Sequence, residues 1–177
     1  MSDRVEVYIS EDEIKNKVKE LGEMITRDYK GRDTNLLLIA ILKGSVVFLS
    51  DLIRAVDVPL AIDFMIISSY GSGTESKGNV KIIKDLDINI SNYDLLIVED
   101  ILDSGNTLSK IIEMLKTRKP KSLKICAFLD KPERRIAPVK LDYTGFTIKD
   151  EFVIGYGLDY NEKYRNLPYI GILTLDK

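Results

Sequence analysis

The strongest constraint on the fold of this chain is the way short apolar runs alternate with segments of helical periodicity. Residues 95–98 form a short, unbroken apolar run, β-branched at its end, and further strand-like segments lie near 36–42, 60–68 and 123–129. Runs of this kind suit strands covered on both sides, as in a parallel sheet. Between them lie helical patterns. Ser10 followed by Glu13 reads as a capping box, and Ile14, Val18, Leu21 and Ile25 recur at helical spacing, which predicts a helix over 11–29 with Gly31 just past its end. Further helices are expected near 46–56 and 108–117, and further strands near 79–84, 152–154 and 169–173. The alternation predicts an α/β fold with a mainly parallel, five-stranded core, whose ligands sit beyond the carboxyl ends of the strands.

At 177 residues and 45% hydrophobic content, the chain suits one domain over 1–177. Its 26 Lys and Arg against 28 Asp and Glu leave a formal charge of -2, which is no electrostatic footprint for nucleic acid or an anionic membrane. No apolar run approaches the ~20 residues of a membrane span, and no apolar targeting segment follows Met1. A cytoplasmic protein with neither a membrane nor a nucleic-acid partner is expected. The single cysteine, Cys126, lies in an apolar run and is expected to be a buried strand residue rather than a nucleophile. Histidine is absent, so acid and base chemistry falls to carboxylates, lysines or tyrosines, and a His-containing triad is excluded.

The most informative segment runs from 95 to 108: Leu-Leu-Ile-Val-Glu-Asp-Ile-Leu-Asp-Ser-Gly-Asn-Thr-Leu. An apolar run is followed by adjacent carboxylates, Glu99 and Asp100, then by a third acid, Asp103. The turn 103–107 offers consecutive backbone N–H groups, the hydroxyls of Ser104 and Thr107, and Gly105 for a tight bend ahead of a helix. A phosphate monoester fits there. Two carboxylates beside such a turn would repel phosphate unless they met hydroxyls or a cation. A ribose diol with magnesium nearby satisfies both charges. A plainer reading, in which Asp103 or Ser104 caps the helix and the acids are solvated, explains each residue alone but not the set. Two familiar phosphate motifs fail. Gly73 and Gly78 have P-loop spacing, but Asn79 and Val80 follow where Lys and Ser or Thr are needed, and no G-x-G-x-x-G occurs. The stretch 68–78, with three glycines, predicts a loop able to close as a lid.

The run 98–108 strongly resembles the phosphoribosyl pyrophosphate motif of type I phosphoribosyltransferases. Three other segments match in order and spacing. Leu42-Lys43-Gly44-Ser45 resembles the family's pyrophosphate loop, with Ser45 where some relatives carry glycine; Ser69-Tyr70 resembles the start of its flexible loop; and 140–165 resembles the purine-binding segment of the 6-oxopurine branch. The resemblance implies a type I phosphoribosyltransferase fold: a twisted core near 30–130 flanked by helices, and a small hood from the N-terminal segment and 131–177. It implies transfer of the 5-phosphoribosyl group of phosphoribosyl pyrophosphate to N9 of hypoxanthine or guanine, giving IMP or GMP and pyrophosphate, with Mg2+ as cofactor.

Site roles follow from the same resemblance. Glu99 and Asp100 would take the ribose hydroxyls and approach magnesium, with Asp159 ordering the ion near the base. Ser104, Gly105, Asn106 and Thr107 would hold the 5′-phosphate. Asp103 would relay the purine N7 proton. Lys43, Gly44, Ser69, Tyr70 and Arg165 would contact pyrophosphate, and relatives show that the Leu-Lys peptide of the loop can be cis. Lys140 would donate to the 6-oxo group, Phe152 would stack on the purine, and Val153 would offer backbone groups to its edge. Gly157, where some relatives have alanine, leaves guanine against xanthine open. The implied partners are small molecules and further copies of the chain, as a homodimer or homotetramer. A regulatory nucleotide binder on the same fold is the rival reading, though RNA-binding relatives usually carry tyrosine where this chain has Asp103.

Overall fold

The computed structural model describes residues 4–33, 35–69 and 80–174. In chain order its elements are β1 (Arg4–Ile9), α1 (Glu11–Tyr29), β2 (Leu36–Leu42), α2 (Val46–Ala55), β3 (Leu60–Ser69), β4 (Val80–Lys84), β5 (Asp94–Leu102), α3 (Asn106–Thr117), β6 (Ser122–Asp130), β7 (Tyr143–Thr147), β8 (Val153–Ile154) and β9 (Ile170–Thr174). The capping box forms as expected. Ser10 Oγ accepts from the Glu13 N–H at 3.3 Å, and the Glu13 carboxylate accepts from the Ser10 N–H at 2.8 Å. Ile14, Val18, Leu21 and Ile25 are the buried stripe of α1.

The main sheet has the order β4-β3-β2-β5-β6-β7. Five of its strands run parallel and β4 closes one edge antiparallel. The sheet therefore holds one strand more than the five expected. The addition is β7, whose Tyr-Thr-Gly-Phe-Thr carries no continuous apolar run. A Cβ on Gly145 would lie 2.3 Å from the Phe128 carbonyl oxygen, so the residue that weakens the strand pattern is what allows β7 to approach β6. As a result, part of the 131–177 segment belongs to the main sheet rather than to the hood. The hood itself is a second, three-stranded sheet of order β1-β9-β8. Its β1 gives little sequence signal because Ile9 is the only fully buried residue in it.

Both faces of the main sheet are covered. Leu36, Leu38, Ala40, Leu96, Val98 and Phe128 pack towards α1 and α2, while Leu37, Ile39, Leu95, Ile97 and Ala127 pack towards α3. This two-sided burial is why the central strands β2 and β5 read as apolar runs. Cys126 is fully buried, and burial pushes its thiol up. Among the described residues, no helix is long and apolar enough to cross a membrane.

Candidate active site

Helix α2 leads from β2 to β3 on one face of the sheet, and α3 leads from β5 to β6 on the other. Strands β2 and β5, adjacent at the centre, are where the winding reverses, and open sheets of this kind bind ligands at that crevice. Pairing between them stops at Ala40 and Val98, whereas β5 stays paired with β6 as far as Leu102. Glu99 and Asp100 therefore lie within β5, not at its end, and β6 alone holds them. The strand runs three residues beyond the expected stop because Ile101 and Leu102 continue the ladder with Leu129 and Asp130.

The two acids are held at a cost. Burial, with repulsion from Asp100, pushes the Glu99 carboxyl well above its usual range. Burial likewise pushes Asp100 up to about 6, against the pull of backbone N–H donors and the Arg165 guanidinium. The turn after β2 closes on this pair. A Cβ on Gly44 would lie 1.7 Å from Asp100 Oδ2, so only glycine lets the loop pass. On its other side, a Cβ on Gly157 (φ +100°) would lie 2.1 Å from the Gly44 carbonyl oxygen. The Leu42–Lys43 peptide is cis, and the buried Ser45 hydroxyl donates to the Ile41 carbonyl at 2.6 Å.

Past β5, the turn leaves the amino end of α3 open. Gly105, at φ 79°, is the N-cap and has no side chain to cap with; Ser104 Oγ accepts from the Asn106 N–H in a long contact of 3.4 Å, and no acid sits in the first turn. The first-turn N–H groups, only weakly engaged by Ser104, and the helix dipole favour an anion here. Segment 135–137 braces the turn from beneath. The Ile136 and Ala137 N–H groups donate to the Ser104 carbonyl at 2.9 and 3.0 Å, and Arg135 Nε donates to the Asp103 carbonyl at 3.0 Å while its Nη2 pairs with Asp130. A cavity of about 160 Å³ opens between Glu99, Asp103, Ser104, Gly105 and Thr107. Asn106 is exposed beside it. Asp103 Oδ2 lies 3.5 Å from Arg134 Nη1, and Asp103 Oδ1 is buried without a hydrogen-bond partner among the described residues.

A third segment supplies cations. Lys43 Nζ lies 2.7 Å from Glu162 Oε2. Arg165 Nη1 donates to the Gly157 carbonyl at 2.8 Å, and its Nη2 lies 2.8 Å from Asp159 Oδ1 and 3.3 Å from Glu162 Oε1. Asp159 is engaged by Arg165 and by the Glu162 N–H, at 2.9 Å, and its charge lies near enough to Asp100 to add to the rise of that carboxyl. Among the described residues, no three carboxylate or thiol side chains converge as a metal cage. Ser69 ends β3, paired through its backbone with Val80. Tyr70 and the expected lid over 69–78 lie outside the described residues, apart from the backbone of Ser69.

The expected purine residues divide. Phe152 is 52% exposed, so it is not a core strand residue, and its ring meets Tyr160 edge-on at 5.7 Å. Val153 is buried at the start of β8. Lys140, in contrast, is exposed and is carried away from the crevice. From the end of β6 the chain runs back down the sheet, so that the Asp142 N–H donates to the Ile125 carbonyl at 2.9 Å, near the amino end of that strand. The lysine at the carboxyl end is Lys131, directly after β6. Its side chain is 7% exposed, its ammonium donates to the Glu151 carbonyl beside Phe152, and its N–H donates to the Leu102 carbonyl at 2.9 Å. Its position one residue past a buried strand is the signal that marks it.

A family model for the phosphoribosyl transferase domain matches residues 10–161. The hypoxanthine phosphoribosyltransferase of Salmonella typhimurium is 54% identical over 175 residues, which is 99% of this chain and 98% of that protein. The Escherichia coli protein of the same name is 53% identical over 178 residues, covering 100% of both. A crystal structure of a hypoxanthine phosphoribosyltransferase from Staphylococcus aureus superposes with a TM-score of 0.91 at 56% identity, over 96% of this chain and 91% of that one.

Proposed function

The chain belongs to the phosphoribosyl transferase domain family, and from that premise we propose that it salvages purines by moving the 5-phosphoribosyl group of phosphoribosyl pyrophosphate to N9 of hypoxanthine or guanine. The products are IMP or GMP and pyrophosphate. The observation that carries this reading is the join between the half-buried acids Glu99 and Asp100, whose carboxyls are pushed up, and the glycine-capped amino end of α3, at the reversal point of the sheet. Over 50% identity to proteins named for hypoxanthine supports the choice of base.

Each residue then has a task. Ser104, Gly105, Asn106 and Thr107 hold the 5′-phosphate with backbone N–H and hydroxyl donors. Glu99 and Asp100 accept from the ribose hydroxyls, donors that compensate carboxylates otherwise held in the wrong environment. Magnesium, where bound, neutralises charge on the leaving pyrophosphate. A two-carboxylate pair without a third ligand suits that ion, which typically keeps waters and takes substrate oxygens. Lys43 and Arg165 face the pyrophosphate. The buried, unpartnered Asp103 Oδ1 is available to take the N7 proton as N9 attacks the anomeric carbon. Positive charge grows on the sugar as pyrophosphate departs, so the site works by orientation and fixed charge. Phe152 stacks on the base, and Lys131, in place of the expected Lys140, donates to the 6-oxo group. Adenine would meet that donor with its own amino group, a mismatch of about 1–3 kcal/mol.

Initial rates with phosphoribosyl pyrophosphate and Mg2+, offering hypoxanthine, guanine, xanthine and adenine separately, test the reading. Turnover of hypoxanthine or guanine, with adenine inert, is expected. Preference for adenine, or no turnover of any base, would overturn it.

A further inference from the structure

Glu162 occupies a turn position that gives a charged side chain little support. Tyr160 and Lys163 exchange backbone hydrogen bonds of 3.1 and 3.0 Å, while Asn161 and Glu162 between them have φ of 51° and 62°. Hairpin turns with positive φ at both central residues favour Asn followed by Gly, because a Cβ crowds the backbone there. Asn161 obeys that preference and Glu162 breaks it. Residues that violate local rules tend to be retained for what their side chains do.

The Glu162 side chain spans two cations. One oxygen faces Lys43 Nζ at 2.7 Å, across 119 residues of sequence, and the other faces Arg165 Nη2 at 3.3 Å. The hydrogen bond from Lys43 is the main reason its carboxyl is held below the usual range. Lys43 and Glu162 are 66% and 65% exposed, so the bridge stands in water and can be exchanged for another anion. A pair of oxygens shared between an ammonium and a guanidinium is also the arrangement that a pyrophosphate would make.

We infer that Glu162 is an internal stand-in for pyrophosphate. In the free enzyme it occupies the seat between Lys43 and Arg165, keeps the two cations together, and is displaced by phosphoribosyl pyrophosphate or by product pyrophosphate. Competition from the carboxylate weakens the grip on the product and favours its release. The inference rests on the phosphoribosyl-transfer reading and adds to it a regulating residue that touches neither sugar nor base.

Calorimetric titration of magnesium pyrophosphate into the wild type, Glu162→Gln and Glu162→Asp tests it, with IMP titrated in parallel. Exposed ion pairs are weak, so Glu162→Gln should bind pyrophosphate about 3- to 10-fold tighter. Glu162→Asp keeps the charge but is one methylene too short to span both cations, and should show most of the same gain. IMP, whose phosphate goes to the 104–107 turn, should bind all three forms within about twofold. Unchanged or weaker pyrophosphate binding by Glu162→Gln would overturn the inference. So would a gain in Glu162→Gln without one in Glu162→Asp, since a background charge would then suffice. Failure of every form to bind both pyrophosphate and IMP would overturn the transfer reading itself.

Discussion

The two ends of the main sheet treat buried charge in opposite ways. Towards the amino ends, acids are fully partnered. Asp28 accepts from the Tyr143 hydroxyl at 2.6 Å and from Lys124 at 3.1 Å, and the Tyr143 bond foremost holds its carboxyl below the usual range. Asp63 is buried, but the N–H groups of Phe64, Asp87 and Ile88, with Lys84, outweigh that burial and hold it low as well. At the carboxyl ends, burial raises Glu99 and Asp100 with too few donors to offset it. One end contributes stability. The other keeps a cost that a ligand's hydroxyls and a cation can remove, as expected of a binding crevice.

The largest effect that could break this comparison is chemical. Asp103→Asn should lower kcat by about 10²- to 10⁴-fold. Its thermal unfolding should change by no more than about 0.5 kcal/mol, because Asp103 has one unpartnered oxygen and one long contact to Arg134. Undiminished turnover would remove proton transfer from the carboxyl end. At the opposite end, Asp28→Ala should leave turnover intact and destabilise the fold by about 2 kcal/mol, since it strands the Tyr143 and Lys124 donors. Its pH dependence sharpens the contrast. A lowered carboxyl contributes stability above its unfolded pKa, near the ordinary 3.8, and loses it as pH falls through the folded value. Denaturation of wild type and Asp28→Ala should therefore converge in acid. The smallest effect concerns the loop. Glu162→Gly relieves the φ of 62° and should raise stability by about 0.5 kcal/mol. A clear loss in chemical denaturation would mean that the ion pairs outweigh the backbone.

Much of the layout was legible because its causes are local. A capping box lies within four residues, and two-sided burial writes itself as apolar runs, so α1, β2 and β6 stand close to their expected bounds. The 99–107 segment and its neighbours Lys43, Gly44 and Arg165 also come together in space. What escaped depends on pairing between distant segments. Strand β7 exists through its fit to β6, and β5 is prolonged by the same partner. Lys140 lies in the segment that resembles the purine site, yet the chain doubles back beneath it and leaves Lys131 at the crevice. Asp159 stands within electrostatic reach of Asp100, and its pairing with Arg165 could not be read from the sequence. Glu162 gave no signal, because neither its backbone angle nor its bridge to Lys43 can be read from neighbouring residues.

The most direct test of the contrast is thermal unfolding of wild type and Asp100→Asn across pH 4–8, with and without phosphoribosyl pyrophosphate and Mg2+. With a folded pKa of about 6 against an ordinary 3.8, the Asp100 carboxyl favours the folded state only while protonated, so wild-type stability should decline as pH rises between those values and stay low above them. Without ligand at pH 8, Asp100→Asn should be the more stable form, by up to about 3 kcal/mol, with the difference vanishing near pH 4. On adding ligands, the wild type should gain stability while the variant gains little. A variant less stable than wild type at pH 8, or one that gains as much from the ligands, would contradict the view that the carboxyl end holds its acids for the substrate.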